Sequence, residues 1–329
     1  MLGSFEKLVL NPPGEVVSDL LEARELLYSI VPDAGDSLLN EVAVHISKAC
    51  GKGIRPMLSI ACSRILFDHY VHESILLAAA VELIHIATLL HDDVIDSASE
   101  RRGIRTVNSL WGNKISILLG DYIFSNAFKL MVKTGNLNIL KLLSDTSEKL
   151  SKSEIDQIEY NNKGVINEEA YFNVINGKTA SLFSAACHAP SLLKDSSMLS
   201  NSLALYGECF GIIYQVTDDL LDYLGYDTGK KQGADFSEGK LTLPLIRLIH
   251  CADKREAKLI TENIGEKNSD SSFFEWLRNL FIKYEIQKQI SKDIEKYLDI
   301  AIDAVTTFGK SDYRDFLVDL VRLLYKRET

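Results

Sequence analysis

Proline and glycine are scarce in this chain, 6 and 19 of 329 residues. With 46% hydrophobic residues, so few turn-formers point to a compact, helix-rich protein. No stretch of useful length alternates apolar and polar residues, which argues against a sheet-based fold. Positive charge is in deficit: 36 Lys and Arg against 46 Asp and Glu leave a net charge of −10. That excludes a general nucleic-acid binder, which needs a basic face. The five cysteines (Cys50, Cys62, Cys187, Cys209, Cys251) are odd in number and lack C-x-x-C spacing, so reduced thiols in a cytoplasmic protein are expected. Residues 1–7 do not have the shape of a signal peptide. The most apolar run, 74–90, is interrupted by Glu82 and His85, so it reads as a buried helix and not a membrane span. No convincing Ser/His or Cys/His arrangement offers a side-chain nucleophile.

What is present is helical periodicity. It predicts helices over 16–29 and 36–49, then 57–66 after the basic, glycine-rich turn Gly51-Lys52-Gly53-Ile54-Arg55-Pro56. A long helix over 74–96 is apolar nearly all round, hence central. Helices over 113–134 and 136–160 break at Gly135, and 168–187 and 201–224 follow. Residues 226–240 read as a polar loop, and shorter helices (241–250, 253–264, 272–307 with a break, 312–326) complete the chain. The expected fold is all-α, a single bundle and a single domain over 1–329, with two aspartate-bearing helices facing each other.

Those aspartates carry the chemistry. Asp92-Asp93-x-x-Asp96 and Asp218-Asp219-x-x-Asp222 each end a long apolar helix. Residues four apart share a helix face, so Asp92 meets Asp96 and Asp218 meets Asp222 at a repulsive cost of about 0.2–0.5 kcal/mol per pair. One such cluster is most simply a solvated helix end; two suggest that something positive sits between them. Hard oxygen ligands suit Mg²⁺, which keeps some waters and takes further oxygens from substrate phosphates. Lys52, Arg55, Arg101, Arg102, Lys178, Lys230 and Lys240 all lie near loop or helix ends in this acidic chain. Each has a bland reading: a solvated basic turn, an ion pair with the aspartates, a snorkelling lysine. Together they fit a metal-bound, multiply charged phosphate ligand. Glu154 and Gln157 share one polar face, where most such residues meet solvent. Beneath the first cluster, at about 1.5 Å rise per residue, the small Ala87 and Thr88 lie roughly 6–8 Å below Asp92. Ile84 lies one turn deeper. A charged head above a dry shaft is a site for a lipid diphosphate.

The sequence resembles the trans-prenyl diphosphate synthases, and among them the long-chain bacterial enzymes of octaprenyl type. The resemblance runs from about Gly51 to the C-terminus. It is carried by G-K-x-x-R-P at 51–56, L-L-H-D-D-V-I-D at 89–96, R-R-G at 101–103 and G-D-Y at 120–122. Further on come N-G-K-T-A at 176–180, Y-Q-x-x-D-D-L-L-D at 214–222 and G-x-D-F-x-E-G-K-L-T-L-P at 233–244. In one departure, Cys50-Gly51-Lys52-Gly53 stands where the family usually has Gly-Gly-Lys-Arg, so one usual cation is missing. The resemblance implies that Asp92 and Asp96 hold two Mg²⁺ ions and Asp218 a third, with Asp219 and Asp222 in support. It further implies that Arg101, Lys178 and Lys230 clamp an allylic diphosphate such as farnesyl diphosphate, with Thr179, Gln215 and Lys240 beside them. Lys52, Arg55, His85 and Arg102 would hold isopentenyl diphosphate, and the protein would be a homodimer. Ionisation, condensation and elimination would follow, with Asp92, Asp93, Asp96, Lys178, Asp218 and Asp219 at the reacting end.

Short-chain relatives place an aromatic residue four or five positions before the first aspartate, where this chain has Ala87 and Thr88. Each added C5 unit buries apolar surface worth about 3–4 kcal/mol, so elongation continues to a wall, giving a product of about C30 to C45. Ile84, Phe128 or Met131 can form that wall. A shorter-chain farnesyl or geranylgeranyl synthase remains an alternative, as does a non-catalytic subunit of a heteromeric synthase. Rivals of other classes fit less well. A His-Asp phosphohydrolase built on His91-Asp92 needs ligands such as His45, His69 or His72 and leaves Asp218-Asp219 unexplained. Glu82-x-x-His85 is half a di-iron site without its second half. A terpene cyclase shares the first aspartate cluster but normally has a mixed second one. Spacing alone does not say whether Lys326 and Arg327 reach the site.

Overall fold

The computed structural model describes residues 7–9, 11–29, 37–49, 51–67, 69–194, 197–224, 233–266 and 271–326. They form the expected all-α bundle. Its first helices are α1 (Gly14–Ser29), α2 (Leu38–Ala49), α3 (Ile54–Leu66) and α4 (His72–Ile95). A hairpin of β1 (Glu100–Arg101) and β2 (Ile104–Arg105) comes next, then α5 (Val107–Trp111), α6 (Asn113–Lys133) and α7 (Leu137–Lys163). α8 (Glu168–Ile175) passes through a π-helical turn, Asn176–Ala180, into α9 (Ser181–Leu192). The remainder is α10 (Ser197–Leu224), α11 (Ala234–Ser237), α12 (Leu243–Cys251), α13 (Lys254–Asn263), α14 (Ser271–Lys283), α15 (Ile286–Thr306) and α16 (Asp312–Tyr325).

Helix ends follow local chemistry. Asn136, Asn167, Asp253 and Ser311 each accept backbone N–H groups as N-caps of α7, α8, α13 and α16. The break expected within 272–307 falls at Glu285, whose φ of 49° no helix can carry. The hairpin is a departure: its strands are two residues each, too short for alternation to reveal. Its turn places Arg102 and Gly103 at φ 54° and 73°, the left-handed pair of a tight hairpin turn.

α4 is apolar all round because it divides two cores. Ile75 and Ala78 face one cluster; Leu77, Ala80, Ile84 and Ala87 face the other. α9 divides them likewise, giving Phe183 and Cys187 to the first and Leu182 and Ala186 to the second. α4 lies along α6 and against α3, while α10 lies against α9 and α15. Glycine sets the closest crossing: a Cβ on Gly211 of α10 would stand 2.6 Å from the Ala180 Cα, so only a bare backbone fits beside the π turn. α4 and α6 are long and apolar enough to cross a membrane, but 72% and 44% of their most apolar windows are buried in the bundle. α4 therefore spends its apolar surface on the two cores, as its sequence suggests.

Candidate active site

Both aspartate clusters lie at the C-terminal ends of their helices, the negative end of the helix dipole, where extra carboxylates are unfavourable. The structure shows what offsets them. At the end of α4, Asp93 is buried and its Oδ1 accepts from Arg101 Nε and Nη2, both at 2.9 Å. The hairpin that presents Arg101 is tied to α4 by Asn108, which donates to the Asp93 and Ala98 carbonyls at 3.0 Å each. Asp96 Oδ2 lies 3.3 Å from Lys240 Nζ, which also reaches Glu238 at 2.8 Å. Burial opposes the Lys240 charge, but Asp96 and Glu238 hold its pKa above the usual lysine range. Burial pushes the Asp92 carboxyl up to about 6; Lys178 opposes the shift, and Glu154 and Asp96 add to it. An under-neutralised carboxylate beside a like charge is the electrostatic signature of a cation site.

Lys178 is expected to snorkel or to serve the site, and it does not reach solvent freely: it is ion-paired with Glu154 and donates to Gln157 Oε1 at 2.9 Å. Glu154 and Gln157 thus turn inward, a correction to their reading as solvent-facing. The π turn explains the geometry. One extra residue per turn widens the helix at Lys178 and Thr179 without ending it. Gly177 lies so close to Ser153 of α7 that no side chain fits between them.

At the end of α10, Asp219 is buried and accepts from Tyr171 Oη at 2.6 Å and Gln215 Nε2 at 2.7 Å. Gln215 in turn accepts from Thr179 Oγ1 at 2.8 Å, linking the second cluster to the π turn. Burial raises the Asp219 pKa well above the carboxylate range, Asp235 adding to the shift and the two donors opposing it. Asp222 accepts backbone N–H groups from Ala234 at 3.3 Å and Asp235 at 3.1 Å, so it caps α11, a short helix where a loop is expected. Asp218 shares the Asp222 face of α10 and is half-buried. Lys230 lies outside the described residues, as does Arg327; Lys326 is exposed after α16.

A second cationic pocket adjoins the first cluster. It is lined by Gly51, Glu82, His85, Asp93, Arg101 and Arg102 among others. Arg55, from the first turn of α3, lies with its guanidinium carbon 4.1 Å from the Phe183 ring centroid and its Nη1 3.2 Å from His85 Nε2. Burial and the neighbouring Arg55, Arg102 and Arg101 push the His85 pKa well below its usual value, so the ring is neutral and its Nε2 accepts. Arg55 Nε is buried without a hydrogen-bond partner. The Arg102 guanidinium lies against Gly51, where a Cβ would meet its Nη1 at 2.5 Å. Lys52 is exposed at the pocket's edge.

The candidate shaft residues differ in burial. Ile84 and Ala87 are buried in one apolar cluster with Met131, with Phe124 and Phe128 packed on it. Thr88 is half-buried, its hydroxyl donating to the His85 carbonyl at 2.8 Å. The di-iron and phosphohydrolase readings fail on geometry. Glu82 is surrounded by arginines. His72 opens the opposite end of α4, about 30 Å from Asp92 at 1.5 Å per residue. His45 packs edge-on to Trp111, centroids 5.2 Å apart. Sequence reasoning missed Tyr171 and marked Glu82 only as half of a di-iron motif, since their partners lie on other elements.

Among the described residues, no three His, Cys, Asp or Glu side chains form a self-sufficient metal centre. The all-oxygen donors and the raised Asp92 pKa still fit a hard cation that shares its ligands with water and substrate. The polyprenyl synthetase family profile matches residues 36–280. Octaprenyl diphosphate synthase of Escherichia coli is 35% identical over 297 residues, 88% of this chain and 90% of the relative. A decaprenyl diphosphate synthase structure from Rhodobacter capsulatus has a TM-score of 0.90 at 33% identity, covering 99% of both chains. A polyprenyl synthase from Caulobacter crescentus, complexed with calcium and isoprenyl diphosphate, matches with TM-score 0.90 at 32% identity, again over 99% of both chains.

Proposed function

The chain belongs to the polyprenyl synthetase family and is a prenyltransferase, and on that premise we propose a long-chain trans-polyprenyl diphosphate synthase of octaprenyl type. It would add isopentenyl diphosphate head-to-tail to an allylic diphosphate such as farnesyl diphosphate. Asp92 and Asp96 on one side and Asp218, supported by Asp219 and Asp222, on the other would hold three Mg²⁺ ions. When bound, the metal neutralises diphosphate oxygens and so favours departure of the leaving group. Arg101 and Lys240, paired with the first cluster, Lys178, paired with Glu154, and Thr179, bonded to Gln215, would stabilise the charge that develops on that group. Lys230 and Gln215 complete this set. Lys52, Arg55, His85 and Arg102 hold isopentenyl diphosphate. The allylic cation is attacked by the double bond, and a proton leaves to the released diphosphate.

The observation that carries the reading is the pairing of two aspartate clusters with a separate arginine pocket, above small side chains. Residues 1–329 would form one catalytic unit, cytoplasmic and homodimeric. The exposed Ile117 and Leu118 near the start of α6 and Val132 near its end support the dimer, as apolar side chains left open to a partner. The family's divalent-metal requirement and the calcium in the Caulobacter relative support the cation.

The test is incubation of the purified chain with Mg²⁺, labelled isopentenyl diphosphate and farnesyl diphosphate, followed by product sizing. A ladder ending near about C40 is expected, and Ala87→Phe, which fills the shaft, shortens it to about C15–C20. An unchanged ladder in the variant overturns the assigned shaft. No incorporation by the chain alone points to a heteromeric enzyme needing a second subunit.

A further inference from the structure

The turn before α3 lacks a side chain at position 53, and the structure shows which residue stands beside the gap. Gly53 caps α3 with a left-handed backbone, φ 64°, which a residue with a Cβ adopts only under strain. A Cβ built there would first meet Pro56 Cγ at 3.4 Å and then Arg24 Nη2 at 3.9 Å. Arg24 comes from α1, far upstream in sequence, so a guanidinium from another helix lies beside the turn that carries Lys52 and Arg55.

Its placement is built into the fold. Arg24 is exposed, one turn from Leu20 and Leu27, which pack against the cores. α1 is fixed on α3 by a bidentate clamp: Arg64 Nη2 and Nε donate to the Asp19 carboxylate at 2.7 and 2.8 Å, with both side chains nearly buried. Val16 and Ala23 are buried beneath it. The Arg24 charge also reaches into the pocket. Glu82, the buried carboxylate at its base, feels Arg55, Arg102 and Arg24 together. Three guanidinium groups acting on one carboxylate leave a surplus of positive charge, which an anionic diphosphate would offset.

We propose that Arg24 is a diphosphate-binding residue of the isopentenyl diphosphate pocket, supplied by α1 where the turn at Gly53 has no side chain of its own. The assignment rests on the Arg55–Arg102 pocket being that site, as argued under Proposed function. It makes α1 part of the active site, with the Asp19–Arg64 clamp holding Arg24 in place.

The test measures steady-state kinetics and calorimetric binding of isopentenyl diphosphate for Arg24→Met, Arg24→Lys, Lys52→Ala and the α1 control Glu25→Gln. Losing a charge-assisted contact made equally in ground and transition states raises KM for isopentenyl diphosphate, and weakens its binding, by about ten-fold, with kcat and the allylic KM nearly unchanged. Arg24→Lys retains most of the affinity and Glu25→Gln all of it; thermal melting confirms that each variant is folded. If Arg24→Met binds like the parent while Lys52→Ala is impaired, Arg24 is excluded and the pocket stands. If neither change affects binding, the pocket itself is misassigned and the proposal falls with it.

Discussion

The two aspartate clusters share one pattern and one position, the C-terminal end of a long helix, yet their buried second aspartates, Asp93 and Asp219, are held by opposite kinds of partner. The α4 cluster is embedded in cations: Arg101 on Asp93, Lys240 on Asp96, Lys178 near Asp92. At the α10 cluster Asp219 accepts from neutral donors, the Tyr171 hydroxyl and the Gln215 amide, and two backbone N–H groups are among the contacts of Asp222. Cationic partners can transfer to an arriving diphosphate while the carboxylates receive metal, so the first cluster is poised to exchange partners. Neutral donors have no such competitor, and they hold Asp219 whatever is bound. Identical motifs thus differ at their buried aspartates, Asp93 on an adaptable side and Asp219 on a rigid one.

The largest effect expected is on chemistry. Asp92→Ala and Asp218→Ala should each lower kcat by about 10²–10³-fold, the scale of losing a group that stabilises transition-state charge. Incorporation of labelled isopentenyl diphosphate measures both. A near-normal Asp218 variant would break the symmetry of the two clusters and leave the α4 side to act alone.

The next contrast is between partners. Arg101→Leu leaves Asp93 buried without its countercharge. Because the Arg101 side chain is 34% exposed, water tempers the loss, and about 2–3 kcal/mol of stability should go. Tyr171→Phe removes one neutral donor from Asp219, for about 1–2 kcal/mol. Urea unfolding of both variants, with added diphosphate and Mg²⁺, sharpens the distinction: ligand should protect the parent more than Arg101→Leu, and Tyr171→Phe as much as the parent. Equal protection of all three would remove the division into adaptable and rigid sides.

The smallest effect is on pH dependence. Asp92 titrates at about 6 in the fold against 3.8 normally, so between these values the folded state holds more of its proton than the unfolded chain. Stability contributed by this group is full below 3.8 and declines as pH rises towards about 6. Asp92→Asn should flatten that part of the urea-midpoint profile, and saturating Mg²⁺ with diphosphate should do the same to the parent. A profile identical in parent and variant would show that Lys178 already neutralises Asp92.

Much of this was legible from pattern alone. Residues 74–96 and 201–224 were expected as central helices and appear as His72–Ile95 and Ser197–Leu224. The helical period puts Asp92 over Asp96 and Asp218 over Asp222 without reference to any other helix. The π turn, the hairpin and the inward face of Glu154 and Gln157 were not legible. A two-residue strand or a single inserted residue leaves no periodic trace, and a polar face reads the same whether it meets solvent or a lysine.

The sequence by itself determined the helices, the two charged ends and the small residues below them, because each depends only on neighbours within a turn or two. The tertiary structure alone decided the partners: Tyr171 with Asp219, Lys240 with Asp96, Arg24 beside Gly53. Those residues lie far apart along the chain. Only burial of the two apolar cores brings their helices close enough for a hydrogen bond or an ion pair to choose between them.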